Sequence, residues 1–245
     1  MSAVRVAGIA SFANAFKEAL LPALCIACDG VLSGGERGLC GACRSRMVPM
    51  SEPCCPRCGV PSDSETDPCI TCVDRRPPQD GTIVWGSYEG ILRRAVLALK
   101  HAGHDELARP LGRRLAARVE LAPWSAEITA VAAVPSHGAR RLRRGTCAAE
   151  LLGAAVAAAI RRPSITALRR HGFGRQAGRT RSQRRRLARG SFSARRALAG
   201  HRILLVDDVT TTGTTLRRAS ETIKEAGAEA VYCAALAITP EPRRV

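Results

Sequence analysis

The stretch ILLVDDVTTTGTTL, Ile203–Leu216, decides how the rest of the chain is read. Ile203 to Val206 are apolar and mostly branched, as in a strand buried on both faces of a parallel sheet. Two acids, Asp207 and Asp208, follow at the strand's C-terminal end, where open α/β sheets place their ligands. Thr210, Thr211, Thr212, Gly213, Thr214 and Thr215 then offer hydroxyls and backbone N–H groups, at the positive end of a helix predicted to begin near Thr214. Such a turn can cradle a phosphate. Two adjacent carboxylates would repel a bare phosphate, so the pattern suits a ligand with both a phosphate and vicinal hydroxyls, or a bridging Mg ion.

Composition narrows the field. The 245 residues are enough for a typical domain plus a small one. Hydrophobic residues make up 46% but aromatics only 3%, so Ala, Leu and Val must fill the core. The formal net charge of +17, carried mainly by Arg, favours nucleic acid or phosphorylated small molecules as partners. No run of about 20 apolar residues is present, so no membrane span is expected. Val4–Leu24 is interrupted by Arg5, Asn14, Lys17, Glu18 and Pro22 and lacks the apolar centre of a secretion signal. Ile9–Leu21 reads as a short amphipathic helix, and a cytoplasmic location is expected.

Eleven cysteines without a signal sequence point to metal ligation rather than disulfides. Cys25/Cys28, Cys40/Cys43, Cys55/Cys58 and Cys69/Cys72 form four C-x-x-C pairs. Each pair can turn two sulfurs onto one tetrahedral ion, and two pairs complete four ligands. Taken sequentially they make two zinc ribbons; spacing alone also permits interleaved pairing of the first with the third. With every thiolate used, two structural zinc ions are expected. Cys54 reads as a bystander.

Residues 62–80 are rich in Pro, Asp and Ser, and Arg75-Arg76-Pro77-Pro78 marks a boundary. The expected organisation is an N-terminal helix (1–24), a double zinc ribbon (25–78) and an α/β domain (79–245). In that domain Thr82–Tyr88 reads as a strand, followed by helices over Ile91–Lys100 and Leu107–Leu121. Lys100, one of only three lysines, matches a helix C-terminal dipole or serves a site. A second buried strand, Ile128–Val134, ends in Pro135-Ser136-His137-Gly138, another candidate anion loop. An Ala-rich helix over Gly145–Ile160 follows. Residues 151–206 contain no acid, and Arg169–Gly190 reads as a mobile basic loop suited to anionic partners. Leu216–Ala226 should be a helix capped by Gly227, and Ala230–Ile238 a final strand.

The segment Asp207–Thr215 resembles the motif by which type I phosphoribosyltransferases bind phosphoribosyl pyrophosphate (PRPP). That resemblance implies that Asp207 and Asp208 hold the ribose hydroxyls, that the Thr/Gly loop takes the 5-phosphate, and that Mg accompanies PRPP. Val134, Pro135, Ser136, His137 and Gly138 resemble the family's pyrophosphate loop, and the Arg-rich segment its flexible hood. Together with the C-x-x-C block, Gly90-Ile91-Leu92-Arg93, Leu99-Lys100, Arg144-Gly145, Gln176 and Gly190-Ser191-Phe192, the chain resembles the ComF family. This family is related to amidophosphoribosyltransferases and associated with competence and DNA uptake. The resemblance implies an α/β, type I phosphoribosyltransferase-like parallel sheet with a small N-terminal zinc-ribbon module. It also implies single-stranded DNA or other nucleic acid and competence-machinery proteins as partners. Phosphoribosyl transfer to a nitrogenous acceptor, or nucleic-acid binding without catalysis, are the competing functions. Two departures bear on that choice. Arg144-Gly145-Thr146-Cys147-Ala148 replaces the family's R-G-F-N-Q, and Arg184–Leu187 lacks the Asn of R-x-x-N.

Overall fold

A computed structural model describes residues 22–101, 103–136, 147–171 and 191–239. The predicted helix Ile9–Leu21, His137, Gly138, the arginines at 140–144, Gln176 and most of the basic loop lie outside them. The chain divides into two compact units, residues 1–47 and 48–245. Among the described residues no helix is long and apolar enough to cross a membrane.

The smaller unit holds one cysteine knuckle, Cys25–Gly30, and a short helix α1 (Gly41–Ser45) begun by Cys40. The larger unit repeats this arrangement before entering its sheet. Knuckle Cys55–Val60 and helix α2 (Ile70–Arg75), preceded by Cys69, reproduce the same turns and the same isolated bridge, Leu24 with Val31 in one and Cys54 with Pro61 in the other.

The larger unit is built on five strands: β1 (Gly81–Ser87), β2 (Ala130–Ala133), β3 (Ser164–Ile165), β6 (Arg202–Thr210) and β7 (Ala230–Ile238). They form a wholly parallel sheet in the order β1-β7-β6-β2-β3. Strands β4 (Leu168–Arg170) and β5 (Phe192–Ala194) make a separate antiparallel ribbon. Arg169 and Arg170, assigned above to an irregular basic loop, are therefore strand residues; they pair with Ser193 and Phe192. Every residue of β7 is buried, as expected for an interior strand covered on both faces.

Parallel strands need crossovers, and crossovers are right-handed. From β1 to β2, through helices α3 (Gly90–His101) and α4 (Ala108–Glu120), the chain moves one way across the sheet. It continues that way from β2 through α5 (Ala148–Ala159) to β3. From β6 through α6 (Thr214–Glu225) to β7 it moves the other way. The helices must then lie on opposite faces. They do: a Cβ at Gly153 of α5 would lie 3.1 Å from the Ala133 Cβ and 3.8 Å from that of Val206. Leu216, Ala219 and Ile223 of α6 join Ile203 and Leu205 in the main hydrophobic cluster.

The second knuckle is bonded into the sheet. Thr82 donates its N–H to the Pro56 carbonyl (2.9 Å) and its hydroxyl to that of Arg57 (2.7 Å). Met50 N–H reaches the Trp85 carbonyl at 2.6 Å. Gly59 has φ +72°, and a Cβ there would come within 2.7 Å of Val84 Cγ2. Glycine is needed both for the turn and for this close approach.

A core poor in aromatics is filled by small residues brought close together. A Cβ on Gly112 of α4 would sit 2.5 Å from the Ala155 Cβ of α5. Gly112→Ala gains up to about 1 kcal/mol of helix propensity but forces the two helices apart at about 1–3 kcal/mol. The expected result is a net loss of stability in urea unfolding, where an exposed helical Gly→Ala change gives a gain.

Candidate functional site

The reversal of crossover direction falls between β2 and β6, which places a crevice at their C-terminal ends. Strand β6 runs further than its apolar core suggests, and carries Asp207, Asp208, Val209 and Thr210 as strand residues. On the β7 side its pairing continues to Thr210 opposite Ile238. On the β2 side strand pairing ends at Val206 opposite Ala133, with one further bond from Val134 N–H to the Val206 carbonyl at 2.9 Å. Beyond it the carboxylates bond their own backbone: Asp208 N–H donates to Asp207 Oδ1 (2.9 Å) and Val209 N–H to Asp208 Oδ1 (2.7 Å).

Strand alternation makes the two acids inequivalent. Asp207 shares the phase of Ile203 and Leu205, toward α6; Asp208 shares that of Val206, toward α5. Asp207 is only 8% exposed. Burial, followed by the Asp208 charge, pushes its carboxyl up to about 8. Asp208 is less buried and takes the Lys100 ammonium, with Nζ 2.9 Å from Oδ1. Lys100 thus belongs to this site. The sequence offered one signal for it, the scarcity of Lys among so many arginines.

The turn after β6 leads directly into α6. Gly213, at φ +67°, is the N-cap and brings no capping side chain. Thr212 and Thr214 hydroxyls lie 2.8 Å apart, and the first helical turn contains no acid. A helix start of this kind is suited to an anion. Across the crevice, Val134 and Pro135 are buried, and the Ser136 hydroxyl is buried close to Cys147. Arg170, from the β4–β5 ribbon, donates from Nη1 to the Pro135 carbonyl at 3.3 Å and stacks 5.2 Å from the centre of the Phe192 ring. Sequence reasoning missed its part in fixing this loop, because a three-residue strand has too little periodicity to be read.

The cysteines group as two sequential tetrads, Cys25/Cys28/Cys40/Cys43 and Cys55/Cys58/Cys69/Cys72, with sulfurs in each all within 4.8 Å of one another. Four thiolates about 2.3 Å from one zinc sit about 3.8 Å apart. The Cys28–Cys40 and Cys58–Cys69 sulfurs are 3.8 and 3.7 Å apart, so both tetrads fit a structural zinc. In each, burial alone would raise the first thiol, but backbone N–H groups aimed at its sulfur prevail. They lower Cys25 to about 6 and Cys55 to about 7. Burial and the neighbouring sulfurs push Cys43 and Cys72 up to about 12. Only a dication lets the whole set ionise. Cys54 stays outside the tetrads, its thiol 3.3 Å from the Ser51 carbonyl, and Cys233 is buried in the core.

Two family models match the chain: a double zinc ribbon domain over residues 16–73 and a phosphoribosyl transferase domain over 111–245. "DNA utilization protein YhgH" of Salmonella typhi is 28% identical over 223 residues, covering 86% of this chain and 95% of the relative. "Competence protein F" of Haemophilus influenzae is 28% identical over 222 residues, covering 87% and 96%. Among solved structures, glutamine PRPP amidotransferase from B. subtilis is 26% identical with a TM-score of 0.39. That likeness covers 52% of this chain and 25% of the other.

Two outcomes are expected. A folded state that holds the Asp207 proton up to about pH 8 loses stability as pH rises from about 4 to 8, because the unfolded chain releases that proton earlier. Asp207→Asn should therefore melt about 2–4 °C or more above the parent at pH 9 and match it near pH 4. Secondly, elemental analysis should give two zinc ions per chain. Cys55→Ser should lower the melting temperature of the sheet domain.

Proposed function

Since this chain belongs to the phosphoribosyl transferase domain family, in its zinc-ribbon-bearing ComF branch, we propose that it binds PRPP and acts in the use or uptake of DNA. The observation that carries the reading is the C-terminal end of β6, past its pairing with β2, where a carboxylate pair and a glycine-capped helix start stand together. Asp207 and Asp208 accept hydrogen bonds from the ribose hydroxyls. The N–H groups and hydroxyls from Thr211 to Thr215 take the 5-phosphate at the start of α6. The loop Val134–Gly138 receives the diphosphate. With Asp207 buried and Asp208 already holding an ammonium, Mg²⁺ enters as the counter-ion of the ligand's diphosphate rather than as a resident metal.

Binding, not rapid turnover, is the activity proposed. Donors fixed around a departing diphosphate favour its loss from ribose C1 by stabilising the charge that develops there. The family's Asn and Gln after Arg144-Gly145, and its Asn after Arg184, are absent from this chain. The DNA role rests on the names of the two relatives and on the charge of +17.

Calorimetric titration of the zinc-loaded protein with PRPP and Mg²⁺ tests the reading. Binding is expected in the micromolar range, strengthening from pH 6 to about 8 as the Asp207 proton becomes easier to displace. Asp207→Asn combined with Asp208→Asn should abolish it. Unchanged affinity in that folded double variant would sink the ribose assignment.

A further inference from the structure

We propose that Lys100 is a ligand-contacting residue whose ammonium binds the diphosphate on ribose C1, with Asp208 holding it ready over the crevice. The inference rests on the PRPP-binding reading and adds a residue to it. Three observations carry it.

The first is position. Lys100 lies in the last turn of α3, which belongs to the β1-to-β2 crossover and so to the sheet face toward which Asp208 turns. Its Nζ lies 2.9 Å from Asp208 Oδ1, and the two side chains retain 23% and 15% exposure, so a ligand can still reach both. The ammonium therefore stands beside Asp208, past the point where the pairing of β2 with β6 ends.

The second is the chemistry of the ligand. In PRPP the diphosphate and the 2-hydroxyl sit on adjacent ring carbons. A carboxylate that accepts from that hydroxyl has the diphosphate beside it. The ammonium offers three donors and no acceptor. It cannot serve the hydroxyls better than Asp208 does, but it can donate to phosphoryl oxygens. Ligand binding thus exchanges one partner of Lys100 for another, and the Asp208 oxygen it leaves is taken by the ribose.

The third is the choice of cation. Of 38 Lys and Arg residues only three are Lys. Lys224 pairs with Asp80, where β1 begins, at the opposite end of the sheet. An arginine at position 100 would grip Asp208 through a rigid two-pronged fork, whereas an ammonium is a compact charge on a flexible stem that can change partners.

The test compares PRPP with ribose 5-phosphate, which keeps the phosphate and the ring hydroxyls but lacks the diphosphate. Lys100→Met preserves much of the apolar stem and removes the charge; Lys100→Arg keeps the charge. Both are first checked by thermal unfolding without ligand. For Lys100→Met the expected result is PRPP affinity reduced at least ten-fold, with ribose 5-phosphate affinity within two-fold of the parent. Lys100→Arg keeps the charge but grips Asp208 through its fork, so its PRPP affinity should fall between those of the parent and of Lys100→Met. Equal losses for both ligands, or no loss for either, would overturn the assignment, as would an arginine variant as weak as the methionine one. Failure of the parent protein to bind either ligand would instead remove the PRPP reading itself.

Discussion

Past Val206, strand β6 has a paired strand on one side only, and the rest of the site depends on that asymmetry. A backbone N–H that loses its ladder partner inside a protein must find another. Here the partners are the carboxylates of Asp207 and Asp208, each folded back onto the next residue's N–H. The missing partner on the β2 side opens the crevice, and the same deficit holds the acids in place. The direction of the crossovers fixes where this happens, because β2 and β6 are the neighbours at which helices change faces.

Two adjacent acids at a strand end present an electrostatic difficulty, and the structure answers it twice over. Alternation sends Asp207 toward one face and Asp208 toward the other. Burial keeps a proton on the first, while Lys100 neutralises the second. In the absence of ligand, the helix start at Thr214 therefore faces little uncompensated negative charge.

Much of this was legible in the sequence. Ile203–Val206 and Ala230–Ile238 are long and apolar enough to be recognised as buried strands, and the Thr and Gly run marks the turn and helix start that follow. The C-x-x-C pairs declare metal ligation, though spacing left their order open. The remainder was hidden for definite reasons. The extension of β6 through two acids breaks the apolar pattern by which a buried strand is recognised. Strands of two or three residues, β3 to β5, are shorter than any period that could reveal them. The Lys100–Asp208 pair joins residues more than a hundred positions apart, and only the sheet order brings them together. That the second knuckle is bonded into β1, while the first belongs to another unit, could not be read from two nearly identical cysteine patterns.

That bonding has a consequence for the life of the protein in a concentrated solution. Strand β1 is the outer strand of the sheet, and unpaired outer strands recruit other chains into shared sheets. The opposite border, β3, is only two residues long and offers little purchase. Strand β1 is seven residues long and largely apolar, but its Thr82 N–H and Trp85 carbonyl are already occupied by the segment that carries the second tetrad. A zinc ion in that tetrad would therefore act as a clasp on a cover: holding it would shield the border of the sheet, and losing it would uncover a template for self-association.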